Sequence, residues 1–404
     1  SSRSGPLPRP WHALRASCLW HAPAAPAPAP VVAMGAGAAK SPRQPGIPAT
    51  ASAEHAARAR PEPVSWSALV EGMEEVARGV QPWDQHSFEL ARTLQEAVRN
   101  HGRVDLMTNL KEGKMVAVKR MPNRWVREGP KEFNETYATA SEKPWADMAI
   151  VKILNRRRCP FVCELFGVFR DSELTYVITA LATEGDLFSW CDRPPVPGPK
   201  REQMLLPIVV QLFSAIRWLH ELGLAHRDLS LENVLLNKEG DEKDGEPKLR
   251  LNIIDFGMVT LERTVSMEVR GKPSYQAPEV HRGQEYDTFL TDSFALGVTL
   301  FAMAVQDYPW TSTKANDCQM FDYVSNNGLQ KFLQKRKLRK GGPGQLADAL
   351  SVGFVELIKG LAHLDPELRF SLGETTGPSA QRRSVWTCRW LQGRTPEDWC
   401  KGTC

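Results

Sequence analysis

Residues 226–236 read His-Arg-Asp-Leu-Ser-Leu-Glu-Asn-Val-Leu-Leu. An acid, Asp228, and an amide, Asn233, lie five positions apart, just before a short apolar run that predicts a strand. A carboxylate such as Asp228 can accept a hydrogen bond from a hydroxyl group. The side-chain oxygen of Asn233 can bind a hard cation. The stretch therefore brings a group able to accept a proton and a group able to bind a cation close together, just before a predicted strand.

The surrounding sequence carries further motifs in a fixed order. They are an apolar strand ending in Lys119, a second ending in Asp255-Phe256-Gly257, the run Gln276-Ala277-Pro278-Glu279, the run Asp292-Ser293-Phe294-Ala295-Leu296-Gly297, and the run Asp365-Pro366-Glu367-Leu368-Arg369. Together with residues 226–236, these motifs resemble those of the eukaryotic protein kinase family of the Ser/Thr type, in divergent form. The resemblance covers residues 87–375, which is the usual size of a two-lobed kinase domain.

The resemblance implies an α+β fold with two lobes and ATP and Mg²⁺ as cofactors. The N-lobe, residues 87–182, would be small and β-rich with one main helix, and the C-lobe, residues 183–375, would be larger and helical. Its partners would be protein substrates. Lys119 would hold the ATP phosphates, Asp228 would deprotonate the substrate hydroxyl, and the metal ligands would be Asn233 and Asp255. Glu279 and Arg369 would form a structural ion pair.

The resemblance also implies a nucleotide pocket between the lobes. The residues expected to bind the cofactor are Gly102, Val104, Ala117, Lys119, Asp147, Thr179, Ala180, Ala182 and Asp186. Thr179 takes the gatekeeper place, and the backbone of Ala180 and Ala182 would bond the adenine edge. Asp186 would reach the ribose or a basic substrate residue, or would cap the helix that follows it. Together with Glu232, it would favour a basic residue near the phosphorylated position.

Two features of the N-lobe depart from the family pattern. Residues 95–101 should be rich in glycine, but only Gly102 remains, which predicts looser contact with the phosphates. The helical run from Trp145 to Leu154 supplies Asp147 where the family has a Glu that pairs with Lys119. Because Asp is one methylene shorter, either the helix lies closer to the lysine or a water bridges the pair. Counting back from Pro160 without an insertion would place Ile150 there instead.

Two substitutions near the catalytic acid belong together. Position 230 should be Lys and is Ser, and the Thr expected after Gly271 is Lys272. A hydroxyl and an ammonium have exchanged positions across one small site, so its set of donors is preserved. We expect Lys272 to supply the charge near the γ-phosphate and Ser230 to supply the hydroxyl. In the alternative, Lys272 points to solvent and Ser230 is merely tolerated.

The activation segment, residues 255–279, carries an acid where many kinases carry a phosphorylated Thr. This acid is Glu268, and Arg227 would receive its charge. A carboxylate has one negative charge against nearly two for phosphate, so we expect partial ordering and a basally active enzyme. Thr264 and Ser266 are candidate phosphorylation sites.

The composition excludes several other classes of protein. With 42% hydrophobic and 24% charged residues, the chain has the balance of a globular protein. The net charge of +4 comes from residues 1–63, since the remainder holds 44 basic and 45 acidic residues. That distribution removes the argument for a nucleic-acid partner. No run reaches the ~18 apolar residues of a membrane span, so we expect no membrane partner either.

The termini lie outside the kinase-like region. Residues 1–63 hold 17 Ala and 12 Pro and predict a disordered basic leader. The leader could instead be a transit peptide for organelle targeting, or an upstream extension before a start at Met34. Residues 64–86 predict a helical extension, with Ser67 as its N-cap. Residues 376–404 form a tail with Trp386, Trp390 and Trp399, for which the sequence suggests no role.

The remaining expectations concern the basic run, the location and the activity. Residues 331–340 hold six basic side chains and predict a solvated helix face, or else a docking or nuclear signal. Eight Cys without metal or disulfide spacing favour a reduced compartment, cytoplasmic or nuclear. The expected activity is transfer of a phosphoryl group to Ser or Thr. The alternative is a pseudokinase, a nucleotide-binding or scaffold module that retains the fold without turnover.

Overall fold

The computed structural model describes residues 62–97, 101–239, 248–339, 344–375 and 377–400. The predictions of a disordered leader, a transit peptide and a start at Met34 fall on residues that lie outside these ranges. So does the centre of the glycine-poor loop, residues 98–100.

A twisted sheet forms most of the N-lobe. Its described strands are β1 (Gln81–Pro82), β2 (Phe88–Ala97), β3 (Gly102–Asn109), β4 (Lys114–Pro122), β5 (Leu165–Arg170) and β6 (Leu174–Ala180), in the order β1-β5-β6-β4-β3-β2. Residues in β4 alternate as a half-buried strand requires, because Val116 and Val118 are buried whereas Met115 is 49% exposed. This alternation turns the side chains of Ala117 and Lys119 to the opposite face, toward the second lobe.

Helices cover one side of this sheet. They are α1 (Trp66–Arg78), α2 (Asn123–Val126), α3 (Pro130–Thr136) and α4 (Pro144–Arg156). The spacing of apolar residues predicts helix α1 correctly, but its N-cap is Ser65 rather than Ser67. The hydroxyl of Ser65 accepts a hydrogen bond from the amide of Ala68 at 3.1 Å. Ser67 already lies within the first turn of the helix, so it cannot serve as the cap.

The C-lobe is mainly helical. Its described helices are α5 (Leu187–Cys191), α6 (Pro199–Glu221), α7 (Thr288–Val305), α8 (Gln319–Asn327), α9 (Leu329–Lys335), α10 (Leu346–Ala349) and α11 (Val352–Leu361). Short strands β7 (Gly185–Asp186), β8 (Val234–Glu239) and β9 (Lys248–Ile253) form one sheet, and β10 (Thr264–Val265) pairs with β11 (Tyr286–Asp287). Each lobe has the secondary structure expected from the sequence, and the α+β fold of a protein kinase is confirmed.

Helix α7 is the centre of the C-lobe core. Among the described residues it is the one helix whose length and hydropathy would suit a membrane span, and 94% of it is buried inside the protein. Gly297 permits close packing here, since a Cβ at this position would lie 2.8 Å from the amide nitrogen of Ala362. The apolar run therefore serves as a core helix.

The described part of the tail packs onto the C-lobe. The indole nitrogen of Trp386 donates to the carbonyl oxygen of Leu372 at 2.7 Å, and that of Trp390 donates to the carboxylate of Glu202 at 2.9 Å. The ring of Trp399 lies 4.9 Å from the ring of Phe161. Residues 377–400 thus complete the C-lobe surface, a role that the sequence did not suggest.

Candidate functional site

A cleft of about 640 Å³ lies between the lobes and gathers most of the predicted site residues. Those that line it are Val104, Ala117, Lys119, Asp147, Thr179, Ala180, Ala182, Asp228, Asn233, Asp255 and Lys272. The amide of Ala180 donates to the carbonyl of Glu164 at 2.9 Å, so the N–H of Ala180 is already engaged within the protein. The apolar wall of the cleft includes Leu235 of β8, which belongs to the quoted motif but was not predicted to line the site.

Lys119 is surrounded by carboxylates at the back of the cleft. Its Nζ lies 3.1 Å from Asp147 Oδ2 and 4.0 Å from Asp255 Oδ1. Burial opposes the lysine's charge, but attraction to Asp147, Asp255 and Glu142 prevails and raises its pKa above the ordinary value. The ammonium therefore remains charged at physiological pH.

Asp147 reaches Lys119 directly, as the structure places α4 close to β4. The same carboxylate accepts the amide of Phe256 through Oδ1 at 2.9 Å. It thus ties the lysine of β4 to the segment that follows Asp255. The other candidate for this position, Ile150, is completely buried in the hydrophobic core and lies outside the described lining of the cleft.

The loop that carries Asp228 is held by a buried acid on α7. Asp292 accepts the backbone amides of His226 at 2.7 Å and Arg227 at 2.8 Å. Arg227 has a left-handed backbone, with φ of 66°, which is costly for a residue other than glycine. The Nδ2 of Asn233 donates to the carbonyl of Asp228 at 2.8 Å, so the amide oxygen of Asn233 is its group available to a cation.

Lys272 folds over this loop rather than extending into solvent. Its Nζ donates to Ser230 Oγ at 2.7 Å and to Glu232 Oε2 at 2.9 Å, and its backbone amide donates to Asp228 Oδ1 at 3.1 Å. Only glycine suits position 271, because φ is 84° and a Cβ would lie 2.7 Å from the carbonyl oxygen of Arg227. The solvent-directed alternative for Lys272 is therefore not what the structure shows.

Glu268 occupies the place expected of a charged group in the activation segment. Arg227 Nη1 lies 2.6 Å and Arg270 Nε 3.0 Å from the same carboxylate oxygen. Partial burial opposes ionisation, but the hydrogen bond from Arg227 and the charge of Arg270 hold the pKa of Glu268 below its usual value. Thr264 and Ser266, the candidate phosphorylation sites, are both exposed nearby.

Glu279 and Arg369 form a buried bidentate pair at the end of the same segment. Both terminal nitrogens of the Arg369 guanidinium donate to the carboxylate of Glu279, with Nη2 lying 3.0 Å from Oε2. The side chain of Arg369 is fully buried and also donates to the carbonyls of Leu290 and His363. This pair fastens the end of the activation segment to the C-lobe.

Two acids expected to face a substrate have internal partners instead. Asp186 is only 1% exposed and caps α5, accepting the amide of Ser189 at 2.6 Å. Burial raises the pKa of Asp186 to about 6. Asp186 is absent from the lining of the cleft as the structure describes it, and Glu232 is engaged by Lys272. The helix cap is therefore the role that the geometry supports for Asp186, and the expected preference for a basic substrate residue loses its structural basis.

Gly102 packs against the neighbouring strand β4. It lies outside the described cleft lining, and a Cβ there would overlap the carbonyl oxygen of Arg120. Its lack of a side chain allows β3 to approach β4. Ser230 also lies outside the described cleft lining, and its hydroxyl accepts a hydrogen bond from Lys272 Nζ.

Glu142 is a site residue that the sequence reasoning missed. It is 6% exposed, lines the cleft and contributes to the negative field around Lys119. No sequence pattern pointed to it, since an acid just before a helix is ordinarily solvated.

The structure has two lobes, a buried lysine–carboxylate pair, and an acid paired with an amide at the junction of the lobes. This arrangement defines a kinase fold. Residues 100–378, more than half of the chain, match the family described as Protein kinase domain. The chain therefore belongs to the protein kinase family.

Similar proteins are also kinases by name. Serine/threonine-protein kinase GIN4 of Saccharomyces cerevisiae is 28% identical over 300 residues, 72% of this chain and 23% of that protein. CBL-interacting protein kinase 4 of Oryza sativa subsp. japonica is 33% identical over 175 residues, 41% of this chain and 36% of that protein. The cGMP-dependent protein kinase of Eimeria tenella is 33% identical over 162 residues, 40% of this chain and 15% of that protein. The matched regions thus cover 15–36% of these relatives' own lengths.

Proposed function

We propose that this protein kinase transfers the γ-phosphoryl group of ATP to Ser or Thr hydroxyls of protein substrates. The observation that carries the proposal is the convergence of Lys119, Asp228, Asn233 and Asp255 on one cleft. The region Ser230-Leu231-Glu232 lacks the Ala- and Arg-containing pattern of the tyrosine-specific branch, which favours Ser or Thr as the acceptor. A cytoplasmic or nuclear location stays a prediction from composition.

The described residues divide the work of phosphoryl transfer. Asp228 would orient the acceptor hydroxyl and take its proton, because its carboxylate lies in the cleft beside Asn233. Lys119, kept charged by its carboxylate neighbours, would hold the nucleotide phosphates. Lys272 would place a second positive charge in the cleft, next to Asp228. Catalysis would then consist mainly of positioning and charge stabilisation.

The donor set of the cleft fits magnesium. Asn233 and Asp255 offer hard oxygen ligands, and the anchoring of Asn233 Nδ2 on Asp228 leaves the amide oxygen for the ion. When bound, the ion would neutralise charge on the phosphates. Two protein ligands are also what Mg²⁺ commonly takes when phosphates complete its shell.

A phosphate-transfer assay with purified protein tests the proposal. The protein would be given ATP, Mg²⁺ and a mixed library of Ser-, Thr- and Tyr-containing peptides, and the labelled residue would be identified by mass spectrometry. We expect labelling on Ser and Thr and its loss in an Asp228→Asn variant. The matched variant Asp348→Asn, on the short helix α10, should retain activity.

A pseudokinase is the rival function, motivated by the glycine-poor loop and by Ser230 at the expected lysine position. It predicts that ATP raises the Tm while no peptide is labelled above the Asp228→Asn background. Labelling confined to Tyr would instead overturn the Ser/Thr assignment.

A further inference from the structure

Helix α1 lies across α4, the helix that carries Asp147. Gly72 lies at the contact between them, where a Cβ would lie 3.2 Å from Ile153 Cδ1 and 3.5 Å from the Cβ of Ala149. A Cβ alone would need the terminal methyl of Ile153 to shift by a few tenths of an ångström, whereas a larger side chain such as leucine would hold the two helices farther apart. The small residues Gly72 and Ala149 therefore set the distance between α1 and α4.

Apolar side chains of α1 enter the cores on both sides of this crossing. Leu69, 4% exposed, packs in the cluster that contains Ile150 and Leu154 of α4. Val76, 3% exposed, packs in the N-lobe cluster that contains Met148. Burial of these apolar side chains stabilises the contact between the two helices.

Charged residues reinforce the contact at its edge. The carboxylate of Glu75 accepts hydrogen bonds from both terminal nitrogens of Arg156 and lies 3.1 Å from Lys152 Nζ. Both basic residues belong to α4. Because they approach from the same side, they oppose rotation of α4 away from α1.

The beginning of α1 is anchored to the other parts of the molecule. The amide of Val64 donates to the carbonyl of Leu222 at 2.8 Å, at the end of the C-lobe helix α6. The indole nitrogen of Trp66 donates to Glu262 Oε1 at 2.9 Å, within the activation segment. The extension therefore contacts α4, the C-lobe and the activation segment at once.

We propose that α1 is a built-in clamp that positions α4, and with it Asp147, against Lys119. Its residues touch neither the cleft nor the reacting groups as the structure describes them, so Gly72 and Glu75 are positioning residues that act through Asp147. The clamp would allow the lysine–carboxylate pair to form without a separate protein bound behind α4. The inference rests on the proposed function only where phosphate transfer is the measurement.

The substitution Gly72→Leu tests the clamp by forcing the helices apart. Leucine favours a helix more than glycine does, so α1 itself should remain folded. Overpacking at the crossing should raise the Kd and KM for ATP about tenfold or more, with a smaller change in kcat. Amide hydrogen exchange in residues 144–156 should become faster. Adding Ile153→Ala should restore affinity to within about threefold, because it removes the side chain that the leucine meets.

A charge exchange provides a second test at a partly exposed position. Glu75→Arg should weaken ATP binding severalfold, and the double variant Glu75→Arg/Arg156→Glu should recover it. Val70→Leu, at a 45% exposed position of the same helix, is the matched control and should leave ATP affinity unchanged.

The outcomes separate the clamp from the proposed activity. Unchanged ATP affinity and unchanged exchange in Gly72→Leu would overturn the clamp, as would failure of both double variants to recover. If the wild-type protein binds ATP but labels no substrate, the Ser/Thr kinase proposal fails, while ATP affinity and hydrogen exchange still decide the clamp. If the wild-type protein binds no ATP, the exchange rates of α4 in the same variants decide it alone.

Discussion

The exchange of Ser230 and Lys272 makes the sharpest prediction about the chemistry. In the structure, the Lys272 ammonium is held 2.7 Å from Ser230 Oγ and 2.9 Å from Glu232 Oε2, with only 21% of the side chain exposed. If this ammonium supplies the charge near the γ-phosphate, Lys272→Thr should remove it while keeping the backbone bond to Asp228. Ser230→Lys should crowd two ammonium groups around one carboxylate.

The size of the effect follows from the removal of one charged hydrogen-bond donor. A hydrogen bond to a charged group contributes about 1.5–3 kcal/mol, so kcat should fall about ten- to hundredfold in Lys272→Thr. The double variant Ser230→Lys/Lys272→Thr places the lysine and hydroxyl as the family pattern has them. It should recover activity to within about tenfold of wild type, which makes the two substitutions strongly non-additive.

A steady-state assay of phosphate transfer at saturating ATP measures kcat for the wild type, the two single variants and the double variant. Lys131→Thr, an exposed lysine on α3, controls for the loss of one positive charge. An unchanged kcat in Lys272→Thr would refute the assignment of the charge to Lys272. Additive effects of the two substitutions would refute the exchange even if Lys272 itself proved important.

Three further predictions concern the activation segment, a buried histidine and the late arginine. Glu268→Ala should lower kcat severalfold and speed hydrogen exchange in residues 264–272, because Arg227 of the catalytic loop loses its charge partner. The control variant Glu285→Ala, at an exposed position, should change neither quantity. Equal behaviour of the two variants would contradict this role of Glu268. Burial opposes the charge of His220, but hydrogen bonds to two buried acids raise its pKa to about 9. The charged form of His220 contributes up to about 3 kcal/mol to the free energy of unfolding below pH ~6.5, and this contribution is lost as pH rises through about 9. The Tm difference between wild type and His220→Gln should therefore shrink between these two pH values. A Tm difference that stays constant would contradict this role of His220. Arg369→Leu leaves a buried carboxylate without its partner and should lower the free energy of unfolding by about 3–5 kcal/mol in urea titrations, and a loss below about 1 kcal/mol would refute the pairing energy.

Much of the fold could be predicted because short-range patterns determine it. The alternation in residues 115–119 fixes which face of β4 carries Lys119, and the motif order fixes which elements meet at the cleft. The same patterns could not choose between Asp147 and Ile150. That choice depends on how closely α4 packs against the sheet, and this distance is set partly by Gly72, about seventy-five residues away in the chain.

The contacts made by individual acidic side chains were the hardest feature to predict from the sequence. Glu232 and Asp186 are acidic residues in a region expected to meet a substrate, so the sequence favoured a basic substrate residue. In the structure, Lys272 reaches Glu232 from forty positions away, and Asp186 turns inward to cap α5. Both contacts depend on backbone geometry at glycine and helix termini, which side-chain identity alone does not specify.

The backbone of the site bears on whether the chain is an enzyme or only a binding module. Arg227 and Asp255 both hold a φ of 66°, a conformation that costs about 1 kcal/mol or more for residues other than glycine. Nucleotide binding needs a lysine and an acid in the cleft, but it does not need Arg227 to be strained. The strain turns the catalytic loop so that Asp292 can hold its amides, Glu268 can pair with Arg227, and Asp228 can face the cleft beside Asn233. The strain at Arg227 serves the acceptor side of the cleft, so it supports the proposed phosphate transfer over nucleotide binding alone.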